Sequence, residues 1–178
     1  MAKKKYDFSE VLISQKEIEN RVAELGEQIS RDYEGKELLL IGILKGSVIF
    51  MADLMRAIRL DLEMDFMSVS SYGGATSSSG VVRILKDLDE DIRGKNVLIV
   101  EDIIDTGLTL AYIKEYLEKR GPDSLRIVTL LDKPARRKVA LEVDYVGFEV
   151  EDKFIVGYGL DIDQKYRNLP YVSWIRED

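Results

Sequence analysis

NVLIVEDIIDTGLTLAYIKEYLEKRGPD, residues 96–123, is the stretch of sequence that indicates the fold most clearly. It begins with an apolar run, Val97 to Val100, which has the composition of a buried strand and ends in acids. A turn at Asp105 to Gly107 follows, and apolar residues then recur at helical spacing as far as Leu117. Gly121 and Pro122 end that pattern. The segment therefore predicts a strand, a glycine turn and a helix in immediate succession.

Strand and helix patterns continue to alternate on both sides of this segment. They predict helices at 14–34, 47–58 and 108–120, and strands at 37–44, 62–66, 81–85, 97–100, 125–131 and 145–150. Strands alternating with helices over this length predict an α/β fold with three layers, in which a mainly parallel central sheet is flanked by helices. The sequence shows no internal repeat and no interior linker, so we expect a single domain of residues 1–178.

Polar residues follow three of these predicted strands. They are Lys45 and Gly46, the run from Glu101 to Thr109, and Lys133. Ligands of parallel sheets bind at the carboxyl ends of the strands, so we expect the three groups to share one cleft.

The glycine turn combines features that suit a phosphate with features that repel one. A turn of Asp105 to Thr109 at a helix start offers backbone N–H groups, two hydroxyls and the positive end of a helix dipole. An ordinary helix cap is the alternative interpretation. Glu101, Asp102 and Asp105, however, would repel each other unless a cation or hydroxyl groups lay between them. The combination favours a sugar phosphate, with its hydroxyl groups or a magnesium ion beside the acids.

Composition narrows the possible chemistry. The chain contains no cysteine and no histidine, so a general base must be a carboxylate, lysine or tyrosine, and metal ligands must be oxygens, which suits Mg²⁺. A net charge of −7 argues against nucleic acid as the main partner. MAKKKYDF is not followed by an apolar stretch, and no segment approaches the roughly 20 apolar residues of a membrane span. We expect no membrane association and a cytoplasmic protein.

Residues 73–80, GGATSSSG, form the one low-complexity stretch. The residues are small and polar, and strand-like sequence resumes directly after them, so we interpret the stretch as a lid over a site and not as a linker. Neither the Walker pattern nor G-x-G-x-x-G after a strand occurs, which weakens nucleoside triphosphatase and dinucleotide-binding hypotheses.

VLIVEDIIDTGLTL resembles the phosphoribosyl pyrophosphate signature of the type I phosphoribosyltransferases: an apolar strand, two acids, two apolar residues, then Asp-Thr-Gly-x-Thr. Further segments in the same order resemble the hypoxanthine-guanine branch of that family: LKGS (44–47), SSYGG (70–74), LLDKPARR (130–137) and VGFEVEDKFIVGYGLD (146–161), with Arg167 downstream. The resemblance spans nearly the whole chain. Leu108 departs from much of the wider family, which often has a polar or basic residue there.

The resemblance implies the type I phosphoribosyltransferase fold. A small hood region would come from the N-terminal segment and residues 153–178. A mobile loop at 71–80, beginning with Ser71 and Tyr72, would close over the reaction and exclude water.

The resemblance also implies roles on the phosphate side of the site. The 5′-phosphate would bind the turn, that is Asp105, Thr106, Gly107, Leu108 and Thr109. Glu101 and Asp102 would face the ribose hydroxyls and Mg²⁺. Lys45 and Gly46, after a cis peptide between Leu44 and Lys45, would bind pyrophosphate together with Arg167.

On the purine side, Asp105 would accept the proton from N7 as the N9 bond forms. Lys133 would donate to the 6-oxo group, Phe154 would stack on the base, and the backbone of Ile155 would meet the ring edge. Asp161 would bind a second Mg²⁺ near the purine 2-position.

The implied activity is transfer of the phosphoribosyl group from phosphoribosyl pyrophosphate to hypoxanthine or guanine, giving IMP or GMP and pyrophosphate. Relatives form dimers or tetramers, so we expect a homodimer or homotetramer. Two alternatives remain open: a xanthine- or adenine-preferring enzyme, and a regulator of the same fold that binds nucleic acid.

Overall fold

A computed structural model describes residues 7–71 and 82–176. The strands are β1 (Asp7–Ile13), β2 (Leu38–Leu44), β3 (Leu62–Ser71), β4 (Val82–Lys86), β5 (Asn96–Ile104), β6 (Ser124–Asp132), β7 (Tyr145–Glu149), β8 (Ile155–Val156) and β9 (Val172–Arg176). The helices are α1 (Gln15–Asp32), α2 (Val48–Ala57) and α3 (Leu108–Glu118), with a short 3-10 helix at Pro134–Arg136.

Six strands form the central sheet in the order β4-β3-β2-β5-β6-β7. All neighbouring pairs are parallel except β3 with the edge strand β4. The predicted mainly parallel sheet is therefore confirmed. Ile104 of β5 lies opposite Asp132 of β6, so these two strands end at the same level of the sheet. Since β2 runs parallel beside β5, the residues that follow all three strands leave from one edge.

Alternate residues of the central strands point into two separate hydrophobic cores, one on each face of the sheet. The sheet and the helices that cover its two faces therefore form three layers. Leu40 of β2 belongs to the core that packs against α1 and α2, whereas its neighbour Ile41 belongs to the core beneath α3. Each residue is fully buried, as expected for a strand covered on both faces. At the start of α1, Ser14 and Glu17 form the predicted capping box.

Two predicted strands ended too early. The strand predicted at 62–66 is β3, which continues to Ser71. The second is the strand that precedes the glycine turn. The sequence pattern ended the strand at Val100, before the acids, but β5 continues to Ile104. Glu101 pairs with Thr129 of β6, and Ile103 with Leu131, so the ladder continues through the acidic positions. Glu101 and Asp102 are consequently held by the sheet and not by a loop.

A second, three-stranded sheet with the order β1-β9-β8 joins a segment near the start of the chain to its last strands. The sequence patterns did not predict these three strands. Their position corresponds to the small hood of the expected fold. Of the expected loop at 71–80, Ser71 is the last residue of β3, and Tyr72 to Gly80 lie outside the described residues. Within the described ranges, no helix combines the length and apolarity needed to cross a bilayer.

Candidate active site

The turn between β5 and α3 borders a cavity of about 130 Å³. The cavity is lined by Glu101, Ile103, Ile104, Asp105, Thr106, Gly107, Thr109 and Leu110. Gly107 is the N-cap of α3, with φ of 79°, and has no side chain to cap the helix. Thr106 Oγ1 accepts only a long hydrogen bond, 3.4 Å, from the N–H of Leu108. If the turn were only a helix cap, a side chain would accept a short hydrogen bond from the first N–H groups of α3. Since none does, the geometry favours a helix start that can bind an anion.

Glu101 lines this cavity, and Asp102 follows it in β5; both are half-buried in the sheet. Burial, reinforced by the neighbouring Asp102, raises the pKa of Glu101 well above its ordinary value. Burial also raises the pKa of Asp102, although hydrogen bonds from Glu101 and from the N–H of Ile103 oppose the shift. Two carboxylates crowded in this way gain stability from a cation or hydroxyl donors beside them.

The turn after β2 contacts both the acids and the C-terminal region. The peptide between Leu44 and Lys45 is cis, as the resemblance implied. A Cβ atom at Gly46 would come within 1.6 Å of Asp102 Oδ2, and one at Gly159 would come within 2.1 Å of the Gly46 carbonyl oxygen. No side chain fits at either position, so the backbones at Gly46 and Gly159 pack against each other and the Asp102 side chain packs against Gly46. The Lys45 side chain also contacts the C-terminal region, where its Nζ donates a hydrogen bond to Gln164 Oε1 at 3.2 Å.

Arg167 and Asp161 form an ion pair next to this contact, with 2.8 Å between Nη2 and Oδ1. Arg167 also donates to the Gly159 carbonyl oxygen at 2.6 Å, and Asp161 accepts from the N–H of Gln164. Asp161 therefore lies with Arg167 and not in a cluster with Glu101 and Asp102. Within residues 7–71 and 82–176, no three acidic side chains are grouped closely enough to hold a metal ion together.

The residues expected to contact the base lie beyond the end of β6. Lys133 is buried, with 8% of its surface exposed, and its Nζ donates to the Lys153 carbonyl oxygen at 2.6 Å. Phe154 is 63% exposed, so its ring is free to stack on a ligand. Ile155 is buried in β8. A buried lysine amine beside an exposed ring suits a flat ligand with an acceptor oxygen.

A family model described as the phosphoribosyl transferase domain matches residues 12–163. The chain belongs to this family.

Two relatives of this phosphoribosyltransferase are similar to it over almost their whole length. Hypoxanthine-guanine phosphoribosyltransferase of Bacillus subtilis is 54% identical over 172 residues, which cover 97% of this chain and 96% of the relative. Hypoxanthine phosphoribosyltransferase of Salmonella typhimurium is 57% identical over 166 residues, covering 92% and 93%. A crystal structure of a hypoxanthine phosphoribosyltransferase from Staphylococcus aureus aligns with a TM-score of 0.93 and 53% identity, covering 96% of this chain and 92% of that one. The type I phosphoribosyltransferase fold is thus confirmed.

Sequence reasoning missed several polar residues of this phosphoribosyltransferase site. Arg136 Nε lies 2.6 Å from Asp105 Oδ1, and Arg137 pairs with Asp132 beneath the glycine turn. Both arginines belong to the LLDKPARR segment, from which only Lys133 was selected. Two adjacent arginines within a few residues of the end of β6 were a signal that could have indicated them.

The donor atoms present in this phosphoribosyltransferase fit a magnesium ion. Glu101 has no cationic side chain paired with it in the described part of the chain, and its oxygens line the cavity beside the glycine turn. Carboxylate oxygens are the ligands that Mg²⁺ prefers, usually one or two of them, with substrate oxygens and water completing the shell.

Proposed function

We propose that this phosphoribosyltransferase is a purine salvage enzyme. It transfers the 5-phosphoribosyl group of phosphoribosyl pyrophosphate to N9 of hypoxanthine or guanine, and releases IMP or GMP and pyrophosphate. The observation that supports this most directly is that an uncapped helix start, a carboxylate pair and a buried lysine all lie at one edge of the central sheet. Relatives with the hypoxanthine and guanine names, each at least 54% identical, support the choice of base.

The sugar phosphate binds at the cavity between β5 and α3. The 5′-phosphate accepts hydrogen bonds from the backbone of the turn and from the hydroxyls of Thr106 and Thr109, next to the positive end of α3. Glu101 and Asp102 accept hydrogen bonds from the ribose hydroxyls and provide carboxylate oxygens for Mg²⁺. When bound, the ion supplies positive charge that offsets the charge developing on pyrophosphate.

Pyrophosphate leaves towards the turn after β2. Lys45 and Gly46 bind it through backbone and side-chain N–H groups, and Arg167 supplies a bidentate guanidinium. The ion pair with Asp161 holds Arg167 at this position before substrate arrives. Asp161 also provides a carboxylate near the purine 2-position, where it contributes to a second Mg²⁺ site.

The base binds on the side of Lys133. Its 6-oxo group accepts a hydrogen bond from Lys133 Nζ, its ring stacks on Phe154, and its edge meets the backbone of Ile155. As the bond from N9 to C1′ forms and the bond from C1′ to pyrophosphate breaks, the proton on N7 passes to the carboxylate of Asp105. Adenine presents an amino group in place of the 6-oxo acceptor, so Lys133 disfavours it.

We also propose the wider setting of this activity. Residues 1–178 form one domain, with a hood built from the N-terminal segment and residues 153–178. The loop at 71–80, from Ser71 and Tyr72 onwards, excludes water during transfer. The enzyme acts in the cytoplasm as a homodimer or homotetramer, without a nucleic-acid or membrane partner. The net charge of −7 is consistent with the absence of a nucleic-acid role.

A direct assay tests the proposal. Purified protein, phosphoribosyl pyrophosphate and Mg²⁺ are incubated in turn with hypoxanthine, guanine, xanthine and adenine, and nucleotide formation is followed. We expect IMP and GMP to form fastest. Faster formation of the xanthine or adenine nucleotide would contradict the choice of base. Salt-sensitive RNA or DNA binding without any nucleotide product would support the regulator of the same fold instead.

Replacement of Asp105 tests its role in proton transfer. We predict that Asp105→Asn lowers turnover by roughly 10²- to 10⁴-fold, the usual contribution of a general base, while phosphoribosyl pyrophosphate still binds. The measurement is kcat with hypoxanthine, beside calorimetric titration of phosphoribosyl pyrophosphate. Unchanged kcat would remove Asp105 from this role.

A further inference from the structure

Arg136 connects two acidic residues that come from different parts of the chain. It ends the short 3-10 helix at Pro134–Arg136, directly after the strand that delivers Lys133. Its Nε lies 2.6 Å from Asp105 Oδ1, and its Nη1 donates to both carboxylate oxygens of Asp152 at 3.2 and 3.3 Å. One guanidinium thus bridges the turn before α3 and the segment before β8.

The contact leaves part of the Asp105 carboxylate available. Nε and Oδ1 are close but not aligned for a hydrogen bond, so Oδ1 is a buried oxygen held by the charge of Arg136. Oδ2 accepts no hydrogen bond from any residue in the described part of the chain, and the side chain as a whole is 45% exposed. Fixing one oxygen restricts rotation of the carboxylate and leaves the other free to accept a proton.

Asp152 also lies 3.8 Å from the Nζ of Lys133. A single acid is therefore next to the amine expected to contact the 6-oxo group and to the arginine that contacts the expected proton acceptor. These contacts set the distance between the amine and the carboxylate that would bind neighbouring positions on the edge of the purine ring. The 6-oxo and N7 positions are adjacent on an oxopurine, which makes this spacing relevant to the base.

We infer that Arg136, held by Asp152, is a positioning residue that orients the Asp105 carboxylate so that Oδ2 accepts the proton of the incoming purine. Arg136 stays protonated throughout, and the proton moves only from purine N7 to Asp105. This inference rests on the proposed function, because it assumes that Asp105 is the proton acceptor.

An arginine suits this task better than a lysine. The planar guanidinium has several N–H groups in a fixed fork, so it holds two carboxylates at a defined angle, whereas a lysine ammonium is a flexible point charge. Arg136, Asp105 and Asp152 are each about half exposed, and ion pairs of that kind add little to folding stability. A purely structural role would therefore predict a small effect on all measurements, including turnover.

The test is a double-mutant cycle of Arg136→Gln and Asp105→Asn, with kcat measured for hypoxanthine. Arg59→Gln is the matched control, since Arg59 is an exposed arginine whose ion pair with Glu27 is remote from the site. We expect Arg136→Gln to lower kcat about 10- to 100-fold, the effect of losing a charge-assisted contact at the reacting group. The KM for phosphoribosyl pyrophosphate and the melting temperature stay close to those of Arg59→Gln.

In the Asp105→Asn background, Arg136→Gln should cause no further loss, because it acts through the missing carboxylate. Arg136→Lys should restore part of the lost turnover. Equal losses in both backgrounds, an unchanged kcat or an increased kcat in Arg136→Gln would each overturn the inference. If Asp105→Asn alone left kcat intact, the role proposed for Asp105 would fail instead, so the two failures are distinguishable.

Discussion

Replacing Gly107 with alanine should lower the free energy of unfolding by about 2–3 kcal/mol. Gly107 has φ of 79°, a left-handed conformation that costs a residue with a Cβ about 1–2 kcal/mol. The added methyl group would also lie 3.0 Å from Arg137 Cδ and 3.3 Å from Val139 Cγ2. Those side chains would have to shift by a few tenths of an ångström, which adds about 1 kcal/mol.

Gly35→Ala separates the two contributions. Gly35 has φ of 74°, nearly the same as Gly107, but a Cβ there would meet nothing within 4 Å. This variant should therefore show the backbone cost alone, about 1–2 kcal/mol. Equilibrium urea denaturation of both variants measures the difference, which we expect to be about 1 kcal/mol. Equal destabilisation by the two substitutions would refute the contact argument.

The same pair of variants tests the phosphate turn. Phosphoribosyl pyrophosphate with Mg²⁺ should raise the melting temperature of the wild type and of Gly35→Ala, because a ligand stabilises the folded state to which it binds. Gly107→Ala should show a smaller rise, since the methyl group displaces the turn that we propose receives the 5′-phosphate. A rise of the same size in both variants would place the phosphate elsewhere.

Three further predictions concern the base pocket, the metal ion and a hydrogen bond between two side chains. Lys133→Ala should raise the KM for hypoxanthine and reduce discrimination against adenine, and an unchanged ratio of kcat/KM values for the two bases would contradict the pocket. Chelation with EDTA should abolish nucleotide formation, and added Mg²⁺ should restore it; full activity in EDTA would exclude the metal role of Glu101 and Asp102. Tyr158→Phe removes a hydrogen bond of 2.5 Å to Asp53 Oδ2 and should lower the free energy of unfolding by about 1 kcal/mol. Urea denaturation measures this difference, and an unchanged free energy of unfolding would contradict a stabilising role for the bond.

The central sheet and its helices could be predicted from the sequence because each element has a clear local pattern. The continuous apolar run of β2 and the helical spacing in α1 depend only on neighbouring residues. The strands of the small sheet have no such pattern. β8 has two residues, and β1 pairs with β9, more than 150 positions away, so their pairing is decided by tertiary contacts.

The candidate site likewise contains some residues whose position could be predicted from the sequence and others whose position could not. Groups that follow strands of the parallel sheet, such as Lys45 and Lys133, could be placed together because such strands end at one edge. The region around Arg167 could not, since its backbone is irregular. Tyr158, Asp163, Gln164 and Tyr166 all have positive φ values, which are uncommon for residues other than glycine. No local rule predicts a path that is set by contacts such as Gly159 against Gly46.

The pairing of β1 with β9 has a consequence for synthesis on the ribosome. β1 precedes the central sheet in the chain, but its partner β9 is complete only when Arg176 has left the exit tunnel. The nascent central sheet can acquire most of its strands earlier, as domains begin to fold while the chain lengthens. The small sheet, with Ile155 in its third strand, can therefore complete its pairing only after the strands of the central sheet have been made.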